Sequence, residues 1–549
     1  MEQRFCVGVE WEHRGPTGAS VTDLNTQPSL SIPLRRSAPI AGSRWRRPAS
    51  RYGAWARPPS LRGPRDAAYV TRHAIPVLAA TFILAVLIVV GLGWQALAAV
   101  GLLLIAGLVL LRWQRGIYAA LVYLPFSGVV TLLLYPWTGA LLIKDVAFIL
   151  PAYVGWAAMA RSDGPRPVAQ RPQRLFLASL ATLVVMVVAR MAGPDVQNWS
   201  MAMIGAKIWL FYLPLYFLGQ HLFDSRAQAA SLFRTLIVVA IVPCGLGIVE
   251  ALLVPIFGYQ TLMERVYGAN AVNVTQGFVQ FEIGTGVIRR IPSTFTFVAQ
   301  YFGYTLATIA VGYCVWRGDP SAHWRRVGAV ITALASIASL LSGARSAFVF
   351  VPLLWAMILF LDRALGTLVR HGPMAAGLVM LVLTIMGTEG GALYEHISGR
   401  LGDESGAIGV VSGTLYEAGA WGLGTGTNTG PARYALADPD SFVAIENYYA
   451  KIIYELGVPG LLAVLGLFVS LFWTGYASHR ALADRRLRAC TAALLAFVTL
   501  IVASSLKGWM IELDPVNVYF WLFAGLIVKL AALGDESSNA RPRAAGVPA

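Results

Sequence analysis

The chain has little charge for its length, and this scarcity sets its class. Only 13% of its 549 residues are Asp, Glu, Lys or Arg, whereas a soluble domain has about 25%. Hydrophobic residues make up 57%, and the mean hydropathy is +0.62. Apolar runs long enough to cross a bilayer, about 18 residues or more, recur between residues 74 and 531 without a long polar interval. This pattern excludes a string of soluble domains and predicts one membrane domain.

The sequence also lacks the spacings that build metal sites and disulfide frameworks. Of four cysteines, Cys6 lies in a polar stretch, while Cys244, Cys314 and Cys490 lie in apolar runs as predicted core residues. Neither CxxC nor HExxH occurs, so no metal site and no cofactor are predicted. Although the net charge is +15, no aromatic and basic recognition module accompanies it. We therefore expect no nucleic-acid partner.

The apolar segments predict an all-α bundle of about 14 transmembrane helices within residues 74–533. Residues 1–73, rich in Arg, Pro, Ser and Gly, are predicted to be a basic disordered cytoplasmic tail, although a start site placed too far upstream would look the same. Residues 534–549 are predicted to be a second disordered tail. The predicted spans are 74–92, 94–111, 117–135, 140–160, 175–193, 200–220, 235–254, 293–316, 327–342, 346–361, 372–387, 456–476, 489–506 and 514–532.

The arginines between these segments predict the orientation of the bundle. They recur after every second segment, which places both termini and those connections in the cytoplasm. Two of the outer connections are long, 255–292 and 388–455, and we expect function to lie there. Spans 327–342 and 346–361 are short for a bilayer of about 30 Å and are expected to extend toward the loop between them.

Two lysines and an aspartate fall within apolar segments, where an ionised group costs about 2.5–3.5 kcal/mol. Lys144 and Asp145 are adjacent, so their side chains should point about 100° apart on a helix and pair with other helices rather than with each other. They form either a structural ion network or a site in which Lys144 neutralises a buried phosphate. Lys207 is expected to face the protein interior, unless it extends to the interface near a helix end.

Three of the arginines predicted on the outer side lie next to the start of an apolar segment, where the orientation rule would not place them. Arg289 and Arg290 precede the segment that begins at residue 293, and Arg345 lies in the turn 342–346, SGARS. A guanidinium can bind phosphate oxygens through two parallel hydrogen bonds. The alternative is that these arginines only contact lipid head groups.

The end of the second outer loop carries a candidate base. Glu446 is predicted to share a helix face with Ala450, and Gly457 with Pro459 to break that helix before the next span. A carboxylate at the edge of a membrane cavity can act as a general base, although a simple interfacial cap is the alternative. The glycine-rich run 421–428, WGLGTGTN, follows no evident strand, so we predict a flexible outer loop near the site rather than a nucleotide site.

Together these residues resemble the O-antigen ligase and O-antigen polymerase superfamily of bacterial polysaccharide assembly, over roughly residues 140–475. The resemblance implies a metal-independent glycosyltransferase of the inner membrane, which takes an undecaprenyl-diphosphate-linked oligosaccharide as donor on the periplasmic side. Many ligases have a histidine where this chain has Glu446, which favours polymerisation of repeat units of O antigen, exopolysaccharide or capsule. Membrane lipids and a chain-length regulator or export complex are the other expected partners.

The resemblance also implies roles for individual residues. Arg290 and Arg345 are expected to hold the diphosphate, and Glu446 to deprotonate the attacking hydroxyl. Alternative functions are ligation to a lipid or protein acceptor, flipping of lipid-linked oligosaccharides, and a non-catalytic scaffold for export. The expected substrate-binding residues are Arg289, Lys144, Lys207, Asn447 and Tyr448.

Overall fold

The computed structural model describes most of the predicted membrane domain. The described residues are 94–135, 137–159, 170–268, 280–283, 286–364, 366, 404–435 and 445–539. They belong to one compact unit that begins at Ile75. The tail 1–73 and the predicted spans 74–92 and 372–387 lie outside the described residues.

Helices make up most of the described chain, and within it a two-stranded antiparallel hairpin pairs Gln280 with Arg289. Shorter helical turns occur at Leu124–Phe126, Thr138–Leu142, Asp145–Ile149, Gly430–Ala435 and Met510–Glu512. The main elements are α1 (Trp94–Leu111), α2 (Trp113–Tyr123), α3 (Ser127–Leu133), α4 (Leu150–Met159), α5 (Gln170–Arg190), α6 (Trp199–Leu210), α7 (Leu215–Gln220), α8 (Arg226–Phe257), α9 (Tyr259–Tyr267), β1 (Gln280–Ile283), β2 (Gly286–Arg289), α10 (Val298–Gly318), α11 (Ala322–Leu341), α12 (Ala347–Leu361), α13 (Glu404–Ala418), α14 (Tyr448–Ala481), α15 (Arg485–Ser504) and α16 (Val516–Asn539).

Ten helical stretches of the described residues are long and apolar enough to cross a membrane. With two shorter apolar helices, Ala99–Leu111 and Ala347–Leu361, they coincide one for one with predicted segments. The chain is therefore a helical, multi-pass membrane protein. The ten stretches are Trp113–Leu133, Gly139–Ala158, Pro172–Arg190, Trp199–Gln220, Arg226–Phe257, Val298–Gly318, Ala322–Leu341, Tyr448–Ala481, Arg485–Ser504 and Val516–Gly534.

Several helix boundaries differ from the prediction. The short segment 327–342 lengthens toward Ala322 and still ends at Leu341, because Ser342 already belongs to the following turn. The last helix continues to Asn539 instead of ending in a tail at residue 534. Its close packing there, Gly534 against Leu482, is possible because glycine has no side chain.

The packing separates interior helices from peripheral ones. In α10 and α16, 89% of the membrane-length window is buried inside the protein. In α5 and α8 the share is 33%, so most of their apolar side chains face outward, as a lipid solvent allows.

Contacts between the described connections define two ends. At one, the basic end, Arg226 pairs with Asp484 at 2.6 Å and Arg234 with Asp319 at 2.7 Å. The other, the site end, comprises the described residues of the connections 134–138, 191–198, 258–297, 342–346, 419–447 and 505–515. Arg290, Arg345 and Glu446 lie in these connections.

Candidate functional site

The two segments that carry Arg290 and Arg345 meet at the site end. The backbone N–H of Ile291 donates to the carbonyl oxygen of Ser342 at 2.9 Å. Arg290 and Arg345 are both half-buried, and both make interactions within the chain. The backbone of Arg289 lies at the end of β2, next to this junction. The structure thus brings together the backbone segments that carry the two arginines, and their predicted joint role stays a prediction.

Each arginine segment is fixed to the bundle by its neighbours. Ser293 adopts a left-handed backbone conformation, with φ 53°, which is costly for a residue other than glycine. Its N–H donates to Glu250 Oε2 at 2.9 Å, and its Oγ donates to the carbonyl of Pro243 at 2.7 Å. On the other side, Thr294 Oγ1 donates to the carbonyl of Pro125 at 2.5 Å. The turn is therefore anchored to α8 and to the Leu124–Phe126 turn.

A buried ion network surrounds Lys144. Its Nζ lies 3.2 Å from Asp145 Oδ2 and 2.9 Å from Asp514 Oδ2. Lys207 Nζ lies 2.5 Å from Asp145 Oδ2, and Tyr212 donates to Asp145 Oδ1 at 3.0 Å. Lys144 and Asp145 are both 4% exposed, whereas the side chain of Lys207 is 29% exposed.

The expectation that Lys144 and Asp145 pair only with other helices was wrong in part. Asp145 does reach another helix through Lys207, and Lys144 reaches Asp514 in the connection 505–515, but the two residues also contact each other. The chain forms a wide π-helical turn from Asp145 to Ile149, and the long lysine side chain can bend back toward its neighbour. Lys207 pairs with the interior Asp145, as its expected orientation requires.

The connection 505–515, between α15 and α16, is the part of the site that sequence reasoning missed. Its Glu512 pairs with the buried Lys451, and its Asp514 with Lys144. Trp509 Nε1 donates to the carbonyl of Ile445 at 2.6 Å, beside Glu446. The connection therefore joins the Lys144 network to the Glu446 segment. Carboxylates are ordinary in a short connection, so the sequence contained no signal for these contacts.

Burial raises the pKa of Glu512 above its ordinary value, while the ammonium group of Lys451 opposes that rise. Lys451 itself is 1% exposed, and its Nζ lies 5.6 Å from the ring centroid of Trp209. The pair is thus enclosed by α6, α14 and the connection 505–515.

Glu446 is exposed and lies before the helix, not in it. Asn447 is the N-cap, with Oδ1 accepting from the N–H groups of Tyr449 and Ala450 at 2.9 and 3.1 Å. Glu446 therefore does not share a helix face with Ala450, because the helix begins only at Tyr448. Tyr448 is buried, with its ring centroid 5.7 Å from that of Trp209.

Backbone N–H groups of the glycine-rich run donate hydrogen bonds to a carboxylate of the protein itself, Glu455. Glu455 is fully buried, and Oε2 accepts from Trp209 Nε1 at 2.7 Å and Gly426 N at 3.2 Å. Oε1 accepts from Asn428 N at 2.8 Å and Thr429 Oγ1 at 2.9 Å. The run packs near the site as predicted, but it is largely buried instead of forming a loose outer loop.

The predicted helix break is present at Gly457, with φ 73° and ψ −173°. A Cβ at this position would lie 2.4 Å from the carbonyl oxygen of Ala420. Glycine is required there both for the conformation and for the close approach of the glycine-rich run.

These groups provide defined chemistry at one end of the bundle. The guanidinium groups of Arg290 and Arg345 suit an anionic leaving group, and the exposed carboxylate of Glu446 suits proton transfer. The ion network around Lys144 links the connection 505–515 to the helices beside it. Among the described residues, no cluster of His, Cys, Asp and Glu could hold a metal ion. The positions of Arg289, Asn447 and Tyr448 do not test their predicted substrate-binding role.

No family model matches the chain, and comparison with curated proteins finds no match either.

Proposed function

We propose that the protein is a glycosyltransferase of the bacterial inner membrane that polymerises lipid-linked repeat units at its periplasmic face. The observation that carries the proposal is the hydrogen bond from Ile291 to Ser342, which holds the segments of Arg290 and Arg345 together at the site end. Two arginine-bearing segments joined on the predicted outer side are hard to explain by helix orientation.

In the proposed reaction the donor is an undecaprenyl-diphosphate-linked oligosaccharide. The bond between the anomeric carbon and the diphosphate oxygen breaks, and its electron pair leaves with the diphosphate. Arg290 and Arg345 stabilise the charge that develops there. The acceptor hydroxyl forms the new glycosidic bond, and its proton passes to Glu446. The exposed position of Glu446 is compatible with an acceptor that approaches from the aqueous side.

Two alternatives use the same membrane domain. A ligase would transfer the glycan to a lipid or protein acceptor through the same arginines. A flippase would need Lys144 and Lys207 as cations of a translocation path, but both are already paired with carboxylates. This pairing favours an enzyme over a flippase.

The test is a deletion strain complemented with wild type, Arg290→Ala, Arg345→Ala or Glu446→Ala. Lipid-linked intermediates and polymer length are measured by gel and mass spectrometry. Single repeat units that accumulate on the periplasmic side support a polymerase, and finished polymer retained on the carrier indicates a ligase. Intermediates confined to the cytoplasmic leaflet would contradict the enzyme and support a flippase.

A further inference from the structure

The lysines of the ion network at the site end are all paired. Lys144, Lys207 and Lys451 face Asp145, Glu512 and Asp514, each lysine with at least one carboxylate contact. A fourth carboxylate, Glu455, accepts hydrogen bonds from four other donors, one on Trp209 and three in residues 426–429. No lysine of the network is therefore left over to neutralise a phosphate.

The same network nevertheless contains unmet hydrogen-bonding atoms. Among the described residues, Glu512 Oε1, Asp514 Oδ1 and the Tyr123 hydroxyl are buried and have no hydrogen-bond partner. Tyr123 ends α2 and lies within electrostatic range of Lys144 and Asp514. Two of these atoms belong to the connection 505–515, and the third interacts with Asp514 of that connection. Buried polar atoms are normally paired, so these three call for a partner that the chain itself does not supply.

We infer that these three groups form a subsite for the hydroxyl groups of the acceptor glycan, an inference that rests on the proposed glycosyl transfer. Carboxylate oxygens accept hydrogen bonds, and a tyrosine hydroxyl donates or accepts one. A neutral ligand rich in hydroxyl groups satisfies such atoms without disturbing these ion pairs. Lys144 accordingly orients Asp514 and does not bind the phosphate.

The subsite has a route to the surface and a link to the predicted base. The side chain of Asp514 is 27% exposed, and that of Lys207 is 29% exposed, so the network opens at the site end. Through Trp509, the connection that carries Glu512 and Asp514 is hydrogen-bonded to Ile445. A glycan held at this connection therefore lies beside Glu446, where its hydroxyl must be deprotonated.

The experiment uses the full chain in lipid nanodiscs and two probes, with binding measured by isothermal titration calorimetry. One probe is the repeat-unit oligosaccharide released by mild acid from the host's lipid-linked intermediates, and the other is undecaprenyl diphosphate without glycan. Tyr123→Phe should weaken oligosaccharide binding about three- to tenfold, the loss of one hydrogen bond, and leave diphosphate binding unchanged. Arg345→Ala should do the opposite.

Tyr123→Phe removes a hydroxyl that has no protein partner, so its melting temperature should equal or exceed that of wild type. The matched control on the same helix is Tyr118→Phe, whose hydroxyl bonds to Gln228 at the basic end, and which should not change binding of either probe. If wild type and Tyr123→Phe bind the oligosaccharide equally, or if wild type binds the diphosphate alone, the subsite is wrong while the proposed function stands. If wild type binds neither probe, the proposed function fails as well.

Discussion

Glu446 and Glu455 belong to one short stretch of sequence, yet their surroundings assign them opposite tasks. Glu455 is fully buried, and both of its oxygens accept hydrogen bonds from donors within the protein. Such a carboxylate has no capacity left for a substrate, so it is a positioning group for the glycine-rich run. Glu446 is exposed at the site end and remains available for proton transfer. Only the second is a candidate for the base.

Glu455→Gln should destabilise the protein although the two side chains are nearly equal in size. The NH2 group of the glutamine must replace one of the two carboxylate oxygens, and the two donors to that oxygen then lose their acceptor. Each donor left without a partner lowers the free energy of unfolding by roughly 1–3 kcal/mol. We expect a lower melting temperature for the detergent-solubilised protein. Glu446→Gln is the matched control, with an unchanged melting temperature and lost polymer. Equal melting temperatures for both variants would show that the hydrogen bonds to Glu455 are not needed for stability.

Arg345 should be needed for its shape as well as its charge. Arg345→Ala is expected to reduce polymer formation roughly 100-fold or more, as removal of a charge-stabilising group does. Arg345→Lys keeps the charge but not the two-pronged geometry, so it should be partly defective. Arg326→Ala, an exposed arginine of the basic end, serves as control. Polymer is quantified at equal amounts of inserted protein, and full activity of Arg345→Lys would contradict the bidentate role.

Single residues could be recognised from sequence only where their setting was unusual. Lys144 and Lys207 were recognisable because a charge inside an apolar run is costly. Glu512 and Asp514 lie in a short connection, where carboxylates are ordinary, and their partners Lys451 and Lys144 come from distant helices. No spacing along the chain encodes such contacts.

At the scale of elements, the break in α14 and the glycine-rich run form one unit. The carbonyl of Tyr454 accepts from Leu423 N at 2.7 Å, and Val458 N donates to the carbonyl of Ala420 at 2.9 Å. These bonds satisfy backbone groups that the helix break at Gly457 releases. A broken helix is tolerated at membrane depth only when its polar groups find such partners.

Gly457→Ala should therefore disturb both elements. The new Cβ would meet the carbonyl oxygen of Ala420 at 2.4 Å. The backbone conformation at Gly457, with φ 73° and ψ −173°, is essentially confined to glycine and adds about 1–3 kcal/mol for any other residue. We expect a lower melting temperature and less polymer. Gly245→Ala, in α8 with no atom within 4 Å of the new Cβ, should be neutral or slightly stabilising. The proposed coupling is refuted if the two variants behave alike in thermal unfolding.

Most helices could be predicted because a run of apolar residues long enough for the bilayer is a strong local signal. Their ends could not, because caps and neutralised charges are invisible to hydropathy. The helix predicted around residues 446–450 begins only at Tyr448, because Asn447 caps it, and across the break at Gly457 it joins the predicted span 456–476. α8 extends over 32 residues instead of 235–254.

For the whole molecule, the two ends differ in how their cations are used. At the basic end, Arg234 and Arg317 each pair with an aspartate, Asp319 and Asp362 respectively. At the site end, the arginine segments meet each other. Arginine-rich connections remain in the cytoplasm, so the site end is predicted to face the periplasm.

Cysteine labelling tests this orientation. In a parent that carries Cys6→Ser, the cysteines at 244, 314 and 490 are buried and should react little. Glu446→Cys, exposed at the site end, should react with a membrane-impermeant maleimide on cells whose outer membrane alone is permeable. Ala322→Cys, exposed at the basic end, should react only after the inner membrane is opened.

The two positions also test the number of spans between them. Ala322 and Glu446 are separated by α11, α12 and the predicted span 372–387, so three crossings place them on opposite sides. If 372–387 does not cross the membrane, two crossings place both positions on the same side and they label together. If Ala322→Cys alone is labelled from outside, the orientation is the opposite of the predicted one. Arg290 and Arg345 would then face the cytoplasm, where a periplasmic polymerase could not use them.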